Sequence, residues 1–366
     1  MSLTTSRQTD TDITPDTRGG TPVRLSGSLP GSSIDNVDPA LRRCWHPFAL
    51  ASEITDQPQR IMLLGEPWVA LRLGGQLTIL ADACPHRLVP LSSGQVVDGT
   101  LQCQYHGYRF DADGRCVDIP AQDGTVPIGR NAHCAAPAGV EERFGVVWVA
   151  VEEPITPLPE IPEFDDDAFA VVTVDPQVWK VGAGQMADNF LDVGHFPYLH
   201  ANTFGDPNDL IVKDYSVETT GWTFEARHHN STKTLRDAID DDVAADDEFV
   251  IVERDMHYVF TAPYAVYLRI DYDWVALVLA FFMQPLDAEH TRLYVLNVRD
   301  DIPKGEATPE ESIRMSELVV DEDRGMLESL QTRATPLDLT AEHHTRADRI
   351  TVEMRRMLAR LVEETS

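Results

Sequence analysis

The sequence predicts an α+β protein: a small all-β domain followed by a larger antiparallel sheet covered by helices. Three observations predict it. Between residues 39 and 153, short apolar runs alternate with Gly-, Pro- and Asp-rich turns, a spacing too tight for helices. The segment Pro154-Ile-Thr-Pro-Leu-Pro-Glu-Ile-Pro162 then reads as an extended linker, 154–163. Beyond it, over 164–366, strand-like runs are joined by two long helical stretches near the C-terminus.

Residues 1–38 are rich in Thr, Asp, Gly, Ser and Pro without periodicity, and read as a disordered or loosely docked N-terminal arm. In the first domain, strands are expected at 60–64, 68–73, 77–80, 108–110 and 146–151, with a hairpin turn at Asp111-Ala-Asp-Gly114. In the second, residues 186–199 read as helical until Pro197 breaks them. Strands are then expected at 214–217, 222–227, 249–252, 257–260, 265–270, 274–283 and 292–298. Residues 308–331 read as a helix with Thr308 as N-cap and Pro309 at N1. Residues 341–364 read as a second helix, and the acidic run 237–248 as a mobile loop.

The chain has 366 residues, enough for two domains, of which 43% are hydrophobic. The longest apolar stretch, around Trp274 to Met283, is too short to span a bilayer. The N-terminus lacks the basic-then-apolar order of a secretory signal. Net charge is −30, from 60 acidic and 30 basic residues, so neither nucleic acid nor an anionic membrane is an expected partner. The excess reads as a solubility adaptation. Five cysteines, an odd number, argue against a disulfide framework and point to a reducing cytoplasm with thiolates free for metal.

Four metal donors stand out. Cys84-Pro-His86 is followed by Cys103-Gln-Tyr-His106, so each loop offers one thiolate and one imidazole. A Rieske [2Fe–2S] cluster needs two thiolates on one iron and two imidazoles on the other. Zinc also accepts two Cys and two His, but its common frameworks do not alternate the two types in this way. Pro85 stiffens the first loop and Gly107 lets the second turn tightly. Cys44, Cys116 and Cys134 have no His at ligand spacing and read as core or surface thiols. The segments Ala83-Cys-Pro-His-Arg-Leu-Val-Pro-Leu-Ser-Ser-Gly94 and Leu101-Gln-Cys-Gln-Tyr-His-Gly-Tyr-Arg-Phe-Asp-Ala-Asp-Gly114, with Trp45-His-Pro-Phe-Ala, resemble the Rieske domains of bacterial oxygenases. The group they resemble is that of phthalate dioxygenase, vanillate O-demethylase and dicamba monooxygenase.

An oxygenase of that kind also needs a mononuclear Fe2+ held by two His and one carboxylate. In Asp188-Asn-Phe-Leu-Asp-Val-Gly-His-Phe-Pro-Tyr-Leu-His200, His195 and His200 would lie roughly 140° apart on a straight helix. A break at Pro197 is expected to turn both to one metal. The family pattern Asn-x-x-Asp-x-x-His-x-x-x-x-His fits Asn189, Asp192, His195 and His200. The resemblance implies the third ligand in Val320-Asp-Glu-Asp-Arg-Gly, at Asp323, with Asp321, Glu322 and Glu328 as rivals. It further implies that Asp192 accepts the free imidazole N–H of His195 and bridges to His106 of a neighbouring subunit, with Asn189 a weaker supporting residue.

The resemblance thus implies an O2-dependent mono- or dioxygenase, fed by a ferredoxin or NAD(P)H-dependent reductase and assembled as a homotrimer. It would hydroxylate or oxidatively demethylate an apolar or aromatic molecule. Two readings stay open beside it: a biosynthetic amine oxidation or cyclisation, and an electron carrier without mononuclear iron. Gly182-Ala-Gly-Gln-Met-Ala187 mimics a dinucleotide-binding motif but lacks the βαβ context, and reads as a flexible lead-in to the histidine segment. The aromatics Trp222, Phe224, Tyr258, Phe260, Tyr264, Tyr267, Trp274, Phe281 and Phe282 are expected mostly in the sheet core, some above the iron. His228-His229 and His343-His344 read as surface pairs.

Overall fold

The computed structural model describes residues 32–125, 127–235 and 249–365; residues 1–31 of the expected arm and all of the expected acidic loop lie outside them. The first half holds three small antiparallel sheets. Gln59–Leu63, Glu66–Leu73 and Gln76–Ala81 form one; His46–Leu50, Gly139–Arg143 and Val146–Ala150 form another. Gln95–Val97, Thr100–Gln102, Arg109–Phe110 and Cys116–Asp118 form the third. Gly74 and Gly75 both take positive φ, 61° and 88°, in the two-residue turn that joins adjacent strands with the right twist. Val69, Leu71, Leu80, Leu101 and Phe110 pack behind Cys84 and Cys103.

The second half is one seven-stranded antiparallel sheet. Its spatial order is Ala170–Trp179, Thr291–Arg299, Ala276–Pro285, Ala265–Asp271, Phe249–Thr261, Thr223–Leu235, Val217–Thr220. Side chains alternate between two cores. On Ala276–Pro285, Phe281 and Met283 face the helices, whereas Val278, Ala280 and Phe282 face Trp148 of the first half. Burial on both faces explains why this strand reads as a nearly continuous apolar run. The helix-side core takes α1 (Ala183–Leu191) and α5 (Arg349–Thr365); α2 (Phe196–Leu199), α3 (Asp301–Lys304) and α4 (Pro309–Leu327) complete the helices named here.

Several expectations need correction. The helix breaks at Asp192–Gly194, not at Pro197; Pro197 sits in the first turn of α2, where its missing N–H costs nothing. Gly182–Ala187 forms the N-terminal end of α1 rather than a separate lead-in. A Cβ on Gly182 would lie 2.0 Å from Arg333 O, so this glycine marks close packing. Residues 32–38 are docked: Ser33–Ile34 pairs with Thr335–Pro336, and Asn36 Nδ2 donates to Thr291 Oγ1 while its Oδ1 accepts from the Ala183 N–H of α1. The 154–163 linker is strapped down, with Thr156 and Ile161 buried and a 3-10 turn at Pro162–Asp165.

The helix expected over 341–364 starts only at Arg349, because Thr345 and Asp348 close a polar turn before it. The runs 249–252 and 257–260 are one strand. The 214–217 run begins its strand only at Val217. Ala170–Trp179 was not foreseen, since Asp175 and Pro176 interrupt its pattern; they sit at a bulge on an edge strand, where proline is tolerated. His228 is buried, unlike its exposed neighbour His229.

Candidate metal centres and active site

The two loops that carry Cys84 and Cys103 are built alike. In the first, the Leu88 N–H donates to Cys84 O at 2.8 Å and the Cys84 N–H to Val89 O at 2.9 Å. In the second, the Gly107 N–H donates to Cys103 O at 3.0 Å and the Cys103 N–H to Tyr108 O at 2.9 Å. Each loop turns through a left-handed residue: Gly107 at φ 72° and, unforeseen, Leu88 at φ 58°. The loops bring Cys84 and Cys103 together in the interior, and His86 and His106 together further out, ring centroids 4.5 Å apart. Tyr108 stacks on His86 at 4.6 Å, a role the sequence does not announce.

Burial pushes the Cys84 thiol pKa up, the His86 backbone N–H pulls it down, and the Cys103 thiol alongside raises it again. A thiol-binding cation would reverse that by deprotonation. His86 Nδ1 is buried without a hydrogen-bond partner. Two thiols inside, two imidazoles outside and an orphaned ring nitrogen fit a two-iron cluster with mixed ligands.

The second centre forms where α1 ends. The Asp192 backbone N–H caps α1 through Asn189 O, and its carboxylate accepts the backbone N–H groups of Gly194 at 3.0 Å and His195 at 3.1 Å. The same carboxylate lies 2.9 Å from His195 Nδ1, leaving Nε2 to face inward. His195 and His200 flank the single turn of α2, and their Nε2 atoms stand 3.2 Å apart. Asp323, from α4, places Oδ1 3.2 Å from His200 Nε2 and 3.7 Å from His195 Nε2, buried and without a hydrogen bond.

Glu322, a sequence rival of Asp323, instead accepts from the outer side: His200 Nδ1 at 2.7 Å and Thr203 Oγ at 2.8 Å. Glu328 pairs with Arg324, away from the triad. Burial alone would lower the His200 pKa, but Asp323 and Glu322 together hold it above its ordinary value. Burial opposes the charged Asp192 carboxylate, yet His195 and the two backbone N–H groups keep its pKa low. Two imidazoles and an orphaned carboxylate oxygen at one point fit a divalent metal with open positions. Asn189 is buried nearby with Nδ2 unpaired.

Over this point lies a cavity of about 160 Å3, lined by Phe190, Leu268, Phe281 and Val319 among others. Of the nine aromatics singled out by sequence, Phe281 lines it. Phe204 stacks on His200 at 4.6 Å and Phe196 stands edge-on to His195 at 4.9 Å. Arg254 and Arg299 also line it, neither flagged by any motif. Asn297 donates to Ser312 Oγ and Ser316 Oγ, leaving its Oδ1 unpaired. Among the described residues, no helix is long and apolar enough to cross a membrane.

Comparison with known proteins matches two domains to the chain. The Rieske [2Fe–2S] domain family matches residues 44–132, and the vanillate O-demethylase oxygenase C-terminal domain family matches residues 179–364. Methylxanthine N1-demethylase NdmA of Pseudomonas putida is 27% identical over 333 residues, covering 88% of this chain and 90% of its own length. The oxygenase component of dicamba O-demethylase from Stenotrophomonas maltophilia is 34% identical over 188 residues, 48% of this chain and 53% of its own. The solved structure of Pseudomonas putida NdmA with caffeine superposes with a TM-score of 0.75 at 26% identity, covering 88% of this chain and 92% of that one. The Rieske domain with its two-cysteine, two-histidine loops, followed by this C-terminal domain, makes the chain a member of the Rieske-type non-haem iron oxygenases.

Proposed function

We propose that the chain is the oxygenase component that demethylates or hydroxylates an apolar or aromatic small molecule, using O2 and electrons from a separate reductase or ferredoxin. The observation that carries the reading is the convergence of His195 Nε2, His200 Nε2 and the unpaired Asp323 Oδ1 under an apolar cavity. That convergence speaks against a carrier with a Rieske cluster alone. Relatives named as N- and O-demethylases favour methyl removal. In that reaction one oxygen atom enters a methyl C–H bond and the product collapses to formaldehyde, while the other oxygen leaves as water with two electrons and two protons.

Cys84, His86, Cys103 and His106 would hold the [2Fe–2S] cluster; His195, His200 and Asp323 would hold the Fe2+. When bound, the first supplies single electrons and the second activates O2. The chain's own work is positioning. Asp192 and Glu322 each accept an outer Nδ1–H and so present both Nε2 atoms inward. The apolar walls exclude water from the reacting C–H bond.

His106 is exposed, and Asp192 is partly so, which suits a bridge between neighbouring copies. Exposed Leu88 and Tyr105 flank the first site, and exposed Tyr198, Leu210 and Ile211 lie close in sequence to the second. Apolar groups of this kind favour a head-to-tail interface, and we read the assembly as a homotrimer in the cytoplasm.

Elemental analysis of the reconstituted protein should give about three irons and two sulfides per chain. O2 uptake with a generic reductase across methoxylated and N-methylated aromatics should match formaldehyde release. About two irons per chain, or uptake without an oxygenated product, overturns the reading.

A further inference from the structure

The two cluster loops are alike at the tip and unlike at the base. Each tip is closed by the backbone, Cys84 N–H to Val89 O and Cys103 N–H to Tyr108 O. Below the second tip the antiparallel ladder continues, with Gln102 opposite Arg109 and Leu101 opposite Phe110. Below the first tip it stops. Pro90 stands where the second loop has Arg109, and proline has no N–H to extend a ladder. The chain then turns through Leu91–Ser93 as a 3-10 turn, and the Ala83 N–H goes back to Ala81 O. Among the described residues, no backbone hydrogen bond joins 82–83 to 90–94.

A side chain takes the ladder's place. Asp82 follows the strand Gln76–Ala81 and accepts both the N–H and the Oγ–H of Ser92, each at 2.7 Å and each on its own carboxylate oxygen. Its side chain is fully buried, and its backbone N–H donates to Pro67 O at 3.0 Å. Arg60 stands 3.7 Å away, half exposed and beyond hydrogen-bond reach. A carboxylate taken out of water persists only where donors meet it. Here both donors belong to one residue, so Asp82 clasps the far end of its own loop. That far end is fixed in turn to the second loop. Leu91 shares a core with Cys84, Leu101 and Cys103. A Cβ on Gly94 would lie 2.2 Å from Gln102 O, and Gln95 pairs with Gln102, the residue before Cys103.

We infer that Asp82 is a positioning residue for the [2Fe–2S] cluster: its clasp of Ser92 sets the Cys84–His86 loop against the Cys103–His106 loop. The inference rests on the reading of those four residues as the cluster ligands. Two thiolates on one iron and two imidazoles on the other leave little play between the loops. Without the clasp the first loop keeps its tip but is free to swing as a unit away from the second. The clasp works through hydrogen bonds rather than through charge. Asparagine at position 82 has the same shape. Its Oδ1 accepts the Ser92 N–H and its Nδ2 donates to Ser92 Oγ, since a hydroxyl both donates and accepts.

The test uses the full chain reconstituted with iron and sulfide. It reads the cluster directly, by its EPR signal after reduction, its visible circular dichroism and its rate of bleaching by a ferrous-iron chelator. Asp82→Ala should bleach at least tenfold faster than the wild-type protein, with shifted EPR line positions, while about one iron per chain stays at the second centre. Ser92→Ala keeps its N–H and loses the hydroxyl, and should bleach about threefold faster. Asp82→Asn should stay within about twofold of the wild-type rate. A wild-type rate and spectrum in Asp82→Ala overturns the inference; if that variant does not fold, the same result in Ser92→Ala does so. Asp82→Asn behaving like Asp82→Ala also overturns it, because charge would then be the cause. Iron lost equally from both centres overturns it too, because Asp82 would then serve the fold at large. A wild-type chain that assembles no [2Fe–2S] cluster sinks the ligand reading, and this inference with it.

Discussion

The two proposed metal centres solve opposite problems with similar ligands. The Cys84 and Cys103 loops are short, local and backbone-braced, and they hold their imidazoles out towards solvent. The His195, His200 and Asp323 site is interior, drawn from the two ends of α2 and from α4, and braced by carboxylates rather than by backbone. An electron relay needs an exposed edge, whereas O2 chemistry needs a dry pocket with open metal positions. The difference lies in what surrounds the histidines rather than in the histidines themselves.

Losing a donor should break the comparison most sharply. His195→Ala or Asp323→Ala is expected to lower iron from about three to about two per chain, keep the visible spectrum of the cluster and reduce product formation to background. Loss of the cluster in those variants would show that the centres are not independent. Asp192→Asn comes next: both metals should stay, with turnover down about 100-fold. The asparagine Oδ1 still accepts a backbone N–H, but it pairs less strongly with the His195 ring. Full activity in that variant would remove Asp192 from the proposed electron path.

Glu322→Gln is expected to weaken iron retention about 10-fold, measured by chelator competition, because His200 keeps a weaker Nδ1 partner. The smallest effect belongs to the exposed rim. Leu88→Ser or Tyr105→Ser should leave unfolding free energy within about 0.5 kcal/mol. Each should lower turnover a few-fold and weaken subunit association in sedimentation. A large stability loss would mean that the rim belongs to the core of the loop rather than to a docking surface.

The sequence carried different parts of this arrangement unequally. Turns were legible where the chemistry is local, as at Asp111-Ala-Asp-Gly114. Strands were legible where alternation or apolar runs survive, as over 276–285. Ala170–Trp179 was hidden because edge strands tolerate the residues that end others. The segment 189–200 stood out as a motif, but the break that turns its histidines lies at Asp192, a capping effect weaker in sequence than a proline. Asp323 and Glu322 could not be separated by composition, since adjacent carboxylates on one helix differ only in where α4 points them. Arg254 had no signal at all: its place at the cavity is a property of the folded neighbourhood.

The spread of the donors along the chain has a consequence for how the protein is made. The four donors of the first site are present once the polypeptide has grown past His106, and the core behind them closes with Cys134. The second site waits for α4, and then for α5, whose Arg355 clasps Asp188 of α1 in a part-buried ion pair. Synthesis therefore imposes an order of maturation, cluster pocket first and iron pocket last. A chain stopped before Arg349 is a product with the first centre formed and the second left unbraced.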